Sequence, residues 1–267
     1  MLAAIVGALL SVGQPPETIA LPKARWSLKA DAAYCRLERQ AAGPNAILMI
    51  DTIPGSDSYN VAIAGGEMDR PHQLASGSLI FEPMHESLNG LVTVARGPDG
   101  VPFWRIIDIP PAALDDLADA ATISLAAKTK TSPVVSIPNA AKAIAAFRQC
   151  SAGQLMDWGA DPAQFASGGR PPVASKHRDD WLSKRELLAV MAQSERSDID
   201  AVFRVGVSTT GTIDDCRAVK ADTADGVTKV ACAAVMNKVL FAPATDPHGH
   251  PVRGVATFRV VLASRPS

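Results

Sequence analysis

Short runs of alternating apolar and polar residues, each broken by glycine or proline, dominate the first 160 residues. The runs Ala46–Thr52, Tyr59–Ala64, Ser78–Glu82, Leu91–Ala95, Trp104–Ile109 and Val134–Ile137 have the period of two and the β-branched content of strands. Pro54-Gly55, Gly65-Gly66 and Gly97-Pro98-Asp99-Gly100 supply the turns between them. Two stretches change to helical spacing. Pro110-Pro111 leads into a helix over Ala112–Ala121, with proline at a tolerated first-turn position. Asn139 is placed to cap a second helix, Ala140–Met156, whose Ile144, Phe147, Cys150 and Leu155 share a face. Residues 161–176 are rich in Pro, Gly, Ser and Ala and have no period, so they read as a linker.

The pattern after residue 176 is simpler. A helix is expected over Trp181–Met191 and a strand over Ala201–Ser208. A turn at Thr210-Gly211-Thr212 leads into a return strand, Ile213–Lys220. Asp222 or Thr223 can cap a helix over Gly226–Val239, with Val227, Val230, Ala231, Ala234, Val235, Lys238 and Val239 as its stripe. Val252–Leu262 is a long last strand. Val255, Thr257, Arg259 and Val261 occupy one side of it and Ala256, Phe258, Val260 and Leu262 the other. The fold class is therefore α+β. A β-rich, sandwich-like domain at 26–160 is followed, after the linker, by a small domain at 177–267 with helices on one face of an antiparallel sheet.

Composition and charge narrow the partners. The net charge of −1 and 20% charged residues offer no basic footprint for nucleic acid. Residues 1–25 read as a signal-peptide remnant and linker. The apolar run Leu2–Val12 suits the core of an export signal and is too short to cross a bilayer, though no Lys or Arg precedes it. An uncleaved inner-membrane anchor is the alternative reading of this run.

The four cysteines, Cys35, Cys150, Cys216 and Cys232, form no Cys-x-x-Cys pair, which argues against zinc and against a thioredoxin-type site. They allow three disulfide connectivities. Pairing Cys35 with Cys150 and Cys216 with Cys232 closes each loop inside one proposed domain, and is favoured. Such bonds fit an exported, oxidising location.

The second half carries a family resemblance. Phe203-Arg-Val-Gly-Val-Ser-Thr-Thr-Gly-Thr-Ile occupies the place of a hairpin, Cys216-Arg-Ala-Val-Lys-Ala that of its second strand, and Phe241-Ala-Pro-Ala-Thr-Asp with Gly249-His-Pro-Val252 that of an F-x-P-A…G-x-P-V element. In this order they resemble the TonB C-terminal domain family over Phe203–Leu262. Asp222-Thr-Ala-Asp-Gly stands where the family has a glycine turn. The basic start, spanning helix and Pro-Lys/Pro-Glu spacer of a full energy transducer have no counterpart here. The resemblance implies a periplasmic module that binds a peptide of an outer-membrane TonB-dependent receptor in transmembrane transport. Residues 26–160, with Trp26, Cys35 and a Pro-x-Ala-rich final helix, resemble exported proteins of the invasion-associated locus B family.

Chemistry leaves little trace. Gly-x-Ser-x-Gly, Ser-x-x-Lys, His-Glu-x-x-His and phosphate-loop motifs do not occur. His248-Gly-His250 beside Asp246 is the one metal-like cluster, and it reads as decoration of a turn. The pairs Asp115-Asp116, Asp179-Asp180 and Asp214-Asp215 are sequence neighbours whose side chains point apart, and read as solvated charge. No catalytic residue, metal site or cofactor is expected, and the chain reads as a binding protein. The mechanism is β-augmentation: an extended partner segment pairs with the outer edge of the last strand through Val255, Thr257, Arg259 and Val261. The alternative is an exported hydrolase with its site in residues 26–160.

Overall fold

The computed structural model describes residues 25–31, 33–40, 47–65, 73–96, 100–127, 130–194, 198–220 and 222–263. The expected export signal therefore lies outside the described residues. The molecule is mixed α+β, with antiparallel sheets and, among the described residues, four α-helices.

The first half builds one sheet from β1 (Trp26–Ala30), β2 (Cys35–Gln40), β3 (Ile47–Thr52), β4 (Tyr59–Ala64), β5 (Gln73–Glu82), β6 (Glu86–Arg96), β7 (Pro102–Ile109), β8 (Thr122–Ala127), β9 (Lys130–Thr131) and β10 (Val135–Ser136). The order is β1-β2-β3-β4-β7-β6-β5-β8-β10, with β9 beside β8. The sequence suggested a sandwich, but hydrogen bonding runs unbroken from one end of this sheet to the other. Its two ends come together through side chains. Trp26 Nε1 donates to Pro138 O at 2.9 Å, and Arg39 Nε donates to Ser136 O at 2.6 Å.

Helices α1 (Ala113–Asp119) and α2 (Ala140–Asp157) fill the concave side. They add Leu114, Leu117, Ile144 and Phe147 to a core of Leu37, Leu48, Ile50, Leu79, Phe81, Trp104 and Ile106. The alternation of β3, with Leu48, Ile50 and Thr52 buried and the residues between them half-buried, is what pins its register. Cys35 and Cys150 form a disulfide that ties the start of β2 to α2.

In this first half β1, β2, β8 and the two-residue β9 fall outside the runs that the pattern suggested. On β2 the inward residues are Cys35, Leu37 and Arg39, so a charge interrupts the apolar half of the pattern. β1 is mostly exposed, and β8 follows α1 too closely to stand out as a separate run. Asn139 does precede α2, but with φ 59 and no side-chain cap hydrogen bond. Its left-handed backbone, which asparagine tolerates, turns the chain into the helix.

The second half continues with β11 (Val173–Ala174), α3 (Lys184–Met191), β12 (Asp198–Val207), β13 (Ile213–Ala218), α4 (Asp225–Val235), β14 (Phe241–Ala242), β15 (Ala244–Thr245), β16 (Pro251–Val252) and β17 (Gly254–Ala263). Its main sheet has the order β13-β12-β17, all antiparallel. Phe203, Val205, Val207, Ala256, Phe258 and Val260 point from this sheet into a second core, which α3 and α4 close with Val190, Val227, Ala231 and Val235. Trp181 sits at its centre, edge-on to Phe241 with ring centroids 5.0 Å apart. A second disulfide, Cys216–Cys232, fastens β13 to α4.

Helix α3 begins later than its apolar pattern suggested because Ser183 and Glu186 form a reciprocal capping box. α4 follows Ala224, without a side-chain cap from Asp222 or Thr223, and stops at Val235. Asn237, at φ 62, turns the chain so that Asn237 N donates to Ile213 O and Ile213 N to Lys238 O. Val239, expected in the helical stripe, is 64% exposed.

Residues 161–176 are bound along their length. Asp161 caps a 3₁₀ turn at Pro162–Phe165, Arg170 pairs with Thr245, and β11 pairs with β14. Two disulfides suggest an oxidising, exported environment. Among the described residues, no helix is long and apolar enough to cross a membrane.

Candidate functional site

β17 is an edge strand. Its pairing with β12 fixes which of its backbone groups remain available. Phe203 lies opposite Phe258 and Val205 opposite Ala256, while Val202 offers its carbonyl to Val219 on the β13 side. In an antiparallel ladder, alternate residues of a strand bond to opposite sides. Val255, Thr257, Arg259 and Val261 therefore turn their N–H and C=O groups away from β12, as Arg253 does just before them.

The chain itself occupies the first part of this margin. Asp161 N donates to Arg253 O at 2.9 Å. Thr257 N donates to Gly55 O at 3.0 Å, and Thr257 O accepts from Arg178 Nη1. Gly55 lies in the loop joining β3 to β4, so the first sheet reaches across to cap the second. The approach is close: a Cβ on Gly55 would lie 2.9 Å from Ala256 Cα, and its φ of +80° also favours glycine.

Arg178 is the hub of this contact. Its Nη1 also donates to Gly55 O at 3.1 Å, and its Nε lies 3.0 Å from Asp57 Oδ2. The guanidinium stands over the rings of Trp181 and Phe241, 5.8 and 6.0 Å from their centroids. Burial pushes its pKa down, and the Asp57 carboxylate pushes in the opposite direction.

The four expected partner-binding residues therefore divide into two pairs. Val255 is buried against Leu155 and Ala160, and Thr257 is buried under the loop. Of the margin expected open from Val255 to Val261, only the second half, Arg259 and Val261, is open. Arg259 and Val261 remain on the surface. Arg259 makes two hydrogen bonds to the Asp200 carboxylate, at 2.7 and 2.6 Å, which hold that carboxyl below its ordinary range. Val261 is 58% exposed. Among the described residues nothing pairs with the outward backbone groups of Arg259 and Val261.

A cleft of about 680 Å³ borders this open end. Ser58, Asp108, His177, Arg178 and Arg259 are among the residues that line it. Asp108 has φ 58 and accepts a hydrogen bond from Ser58 Oγ at 3.3 Å. Together, the strand end and the cleft offer a short row of backbone donors and acceptors next to mixed charge.

No family model, curated protein or solved structure matches this chain.

The other sequence candidates take part in local contacts. Asp246 Oδ1 accepts from the N–H groups of His248 and His250, and its Oδ2 lies 3.1 Å from His250 Nδ1, so the three residues close a turn. Asp115 is paired with Arg148, and Asp214 with Arg253. A shallow cleft on the first sheet is lined by Ser76, Ser78, Asn89 and Leu91 with glycines and Ala126, and holds no titratable side chain. Gly55, Asp57 and Arg178 were not singled out from the sequence. Pro54-Gly55 signals a turn, and nothing local says what the turn touches.

Proposed function

We propose that this chain is an exported, periplasmic protein-binding module of the TonB C-terminal type. On this reading the outer end of β17 takes up an extended segment of a partner, and the partner implied by the resemblance is an outer-membrane TonB-dependent receptor. The observation that carries the reading is the row of unpaired backbone groups at Arg259 and Val261 beside the cleft. Backbone pairing supplies affinity whatever the partner's sequence, and neighbouring side chains select among partners. The order strand, strand, helix, strand, with helices behind an antiparallel sheet, supports it as well. The domain division at 161–176 belongs to the same reading: a first body carries the module, and the two meet at Arg178.

The test places a photo-reactive phenylalanine analogue at Arg259 in the full chain, expressed in its host. A cross-link to the periplasm-facing segment of an outer-membrane receptor is expected. Val261→Pro removes one outward N–H without touching the ladder to β12, and should abolish the product. Equal products with and without Val261→Pro would refute edge pairing.

A further inference from the structure

The margin of β17 is closed at Thr257 by a segment with its own independent architecture. The β3–β4 loop holds its shape without help from β17. Ser56 N donates to Ile53 O at 2.9 Å, and Thr52 Oγ1 donates to Ser58 O at 3.2 Å. Asp51 and Asn60 pair beneath it. What fastens it to β17 is a single backbone hydrogen bond, the close seat of Gly55 and the Arg178 clamp. The Asp57 side chain that completes the clamp is 62% exposed. The loop therefore need not unfold to leave. It has only to lift away as a unit, and every group it releases on β17 is one that a partner strand needs.

The positions of the occupied and open stretches give the sequence of events. A strand arriving at Arg259 and Val261 meets unpaired groups first. To lengthen its pairing toward Val255 it must take the Thr257 N–H from Gly55 O and the Thr257 C=O from Arg178.

We propose that the β3–β4 loop is an autoinhibitory strap. It holds the place of a partner strand at Thr257, limits pairing to the Arg259–Val261 end, and is displaced when a partner binds along the whole margin. This rests on the reading of β17 as a binding edge, and it adds how that edge is regulated. Loosening the strap should strengthen binding because the free protein no longer spends most of its time closed.

The experiment uses the full chain and two strap variants, Gly55→Ala and Asp57→Ala. The probe is a fluorescein-labelled synthetic peptide of residues 198–207, the segment that β17 already pairs with in antiparallel register on its inner margin. Amide hydrogen exchange at Thr257 reports the strap, and exchange at Phe203 and Phe258 reports the fold. Exchange at Thr257 should rise about tenfold in Gly55→Ala and by up to about fivefold in Asp57→Ala, whose ion pair is largely screened, while Phe203 and Phe258 stay protected. Fluorescence anisotropy should then show the peptide binding tighter than to the parent chain by the same factor in each variant.

Should Gly55→Ala lose protection at Phe203, it has not folded, and Asp57→Ala decides. Unchanged exchange at Thr257, or equal peptide affinity for closed and loosened chains, overturns the strap. Faster exchange at Thr257 with no peptide binding to any of the three overturns instead the reading of β17 as a binding edge.

Discussion

Replacing Arg178 by alanine should cost about 3 kcal/mol of stability, and the figure can be assembled from its contacts. The guanidinium donates to two backbone carbonyls, Gly55 O and Thr257 O. Hydrogen bonds from a charged donor contribute about 1.5–3 kcal/mol each. The ion pair with Asp57 adds less than about 1 kcal/mol, because the carboxylate is 62% exposed and largely screened. The contacts over Trp181 and Phe241, near the outer limit for cation–π attraction, add about 0.5 kcal/mol. Against these stands relief of the burial that depresses the guanidinium's pKa, together with water reaching the two freed carbonyls. The balance is about 3 kcal/mol, a sizeable part of the 5–15 kcal/mol that holds a typical domain. Urea unfolding at neutral pH, followed by tryptophan fluorescence, gives the midpoint and slope. Trp181, itself under the guanidinium, reports on the site directly. Asp57→Ala serves as the internal comparison and should lose less than about 1 kcal/mol. If Arg178→Ala changes stability by less than about 0.5 kcal/mol, or by no more than Asp57→Ala, the guanidinium does not hold the two cores together. The account of the sealed margin then fails with it.

Asp200 has a carboxyl held below its ordinary range, chiefly by the hydrogen bonds from Arg259. A carboxylate depressed in this way contributes stability above its unfolded pKa of about 3.9, and the contribution disappears as pH falls through the folded value. Asp200→Asn should therefore be less stable than the parent near pH 6, by less than about 1 kcal/mol since the pair is half-exposed, and the gap should close below about pH 4 in parallel urea titrations. Removing the Cys216–Cys232 bond by double alanine substitution should cost about 3 kcal/mol for a separation of 16 residues, and removing Cys35–Cys150 somewhat more for a separation of 115. Equal losses in thermal unfolding would contradict the loop-entropy argument. Ser183→Ala breaks the capping box of α3 and should cost about 1 kcal/mol, while Ser183→Thr should recover most of it; no loss in the alanine variant would mean that packing alone starts the helix.

Most of the sequence of elements could be read from local pattern, because each such element buries one face by itself. β4 has the expected bounds, α2 ends one residue beyond expectation, and the order helix, strand, strand, helix, strand of the second half is as its periodicity suggested. Readings failed where a long-range partner overrode the local signal. Arg39 faces inward because the far end of the sheet supplies Ser136 O, so β2 does not look like a strand. α4 stops early because Asn237 and Lys238 bond to Ile213, a contact that no helical stripe reveals. The junction at β17 is the extreme case. Gly55 and Thr257 stand about two hundred positions apart, and Arg178 carries no mark distinguishing it from the other surface-looking arginines. Only the assembled fold shows that a turn glycine has become the neighbour of the last strand.

Edge strands carry unpaired backbone groups that invite association, and proteins usually blunt them with charge, proline, bulges or a covering segment. β17 is covered by Asp161 at Arg253 and by the β3–β4 loop at Thr257, and then the cover stops. Beyond that point the usual devices are weak. Arg259 could repel an incoming strand as a free charge, but it is drawn sideways into two hydrogen bonds with Asp200 and largely neutralised. Val261 presents an exposed β-branched side chain, and the pairing with β12 continues without a bulge to Ala263. An end that merely escaped protection would keep its arginine free. An end whose one charge is spent on its neighbour, and whose next outward residue favours strands, fits the proposed role of accepting a strand. On the same proposal, the cover over Thr257 sets how far such a strand can go.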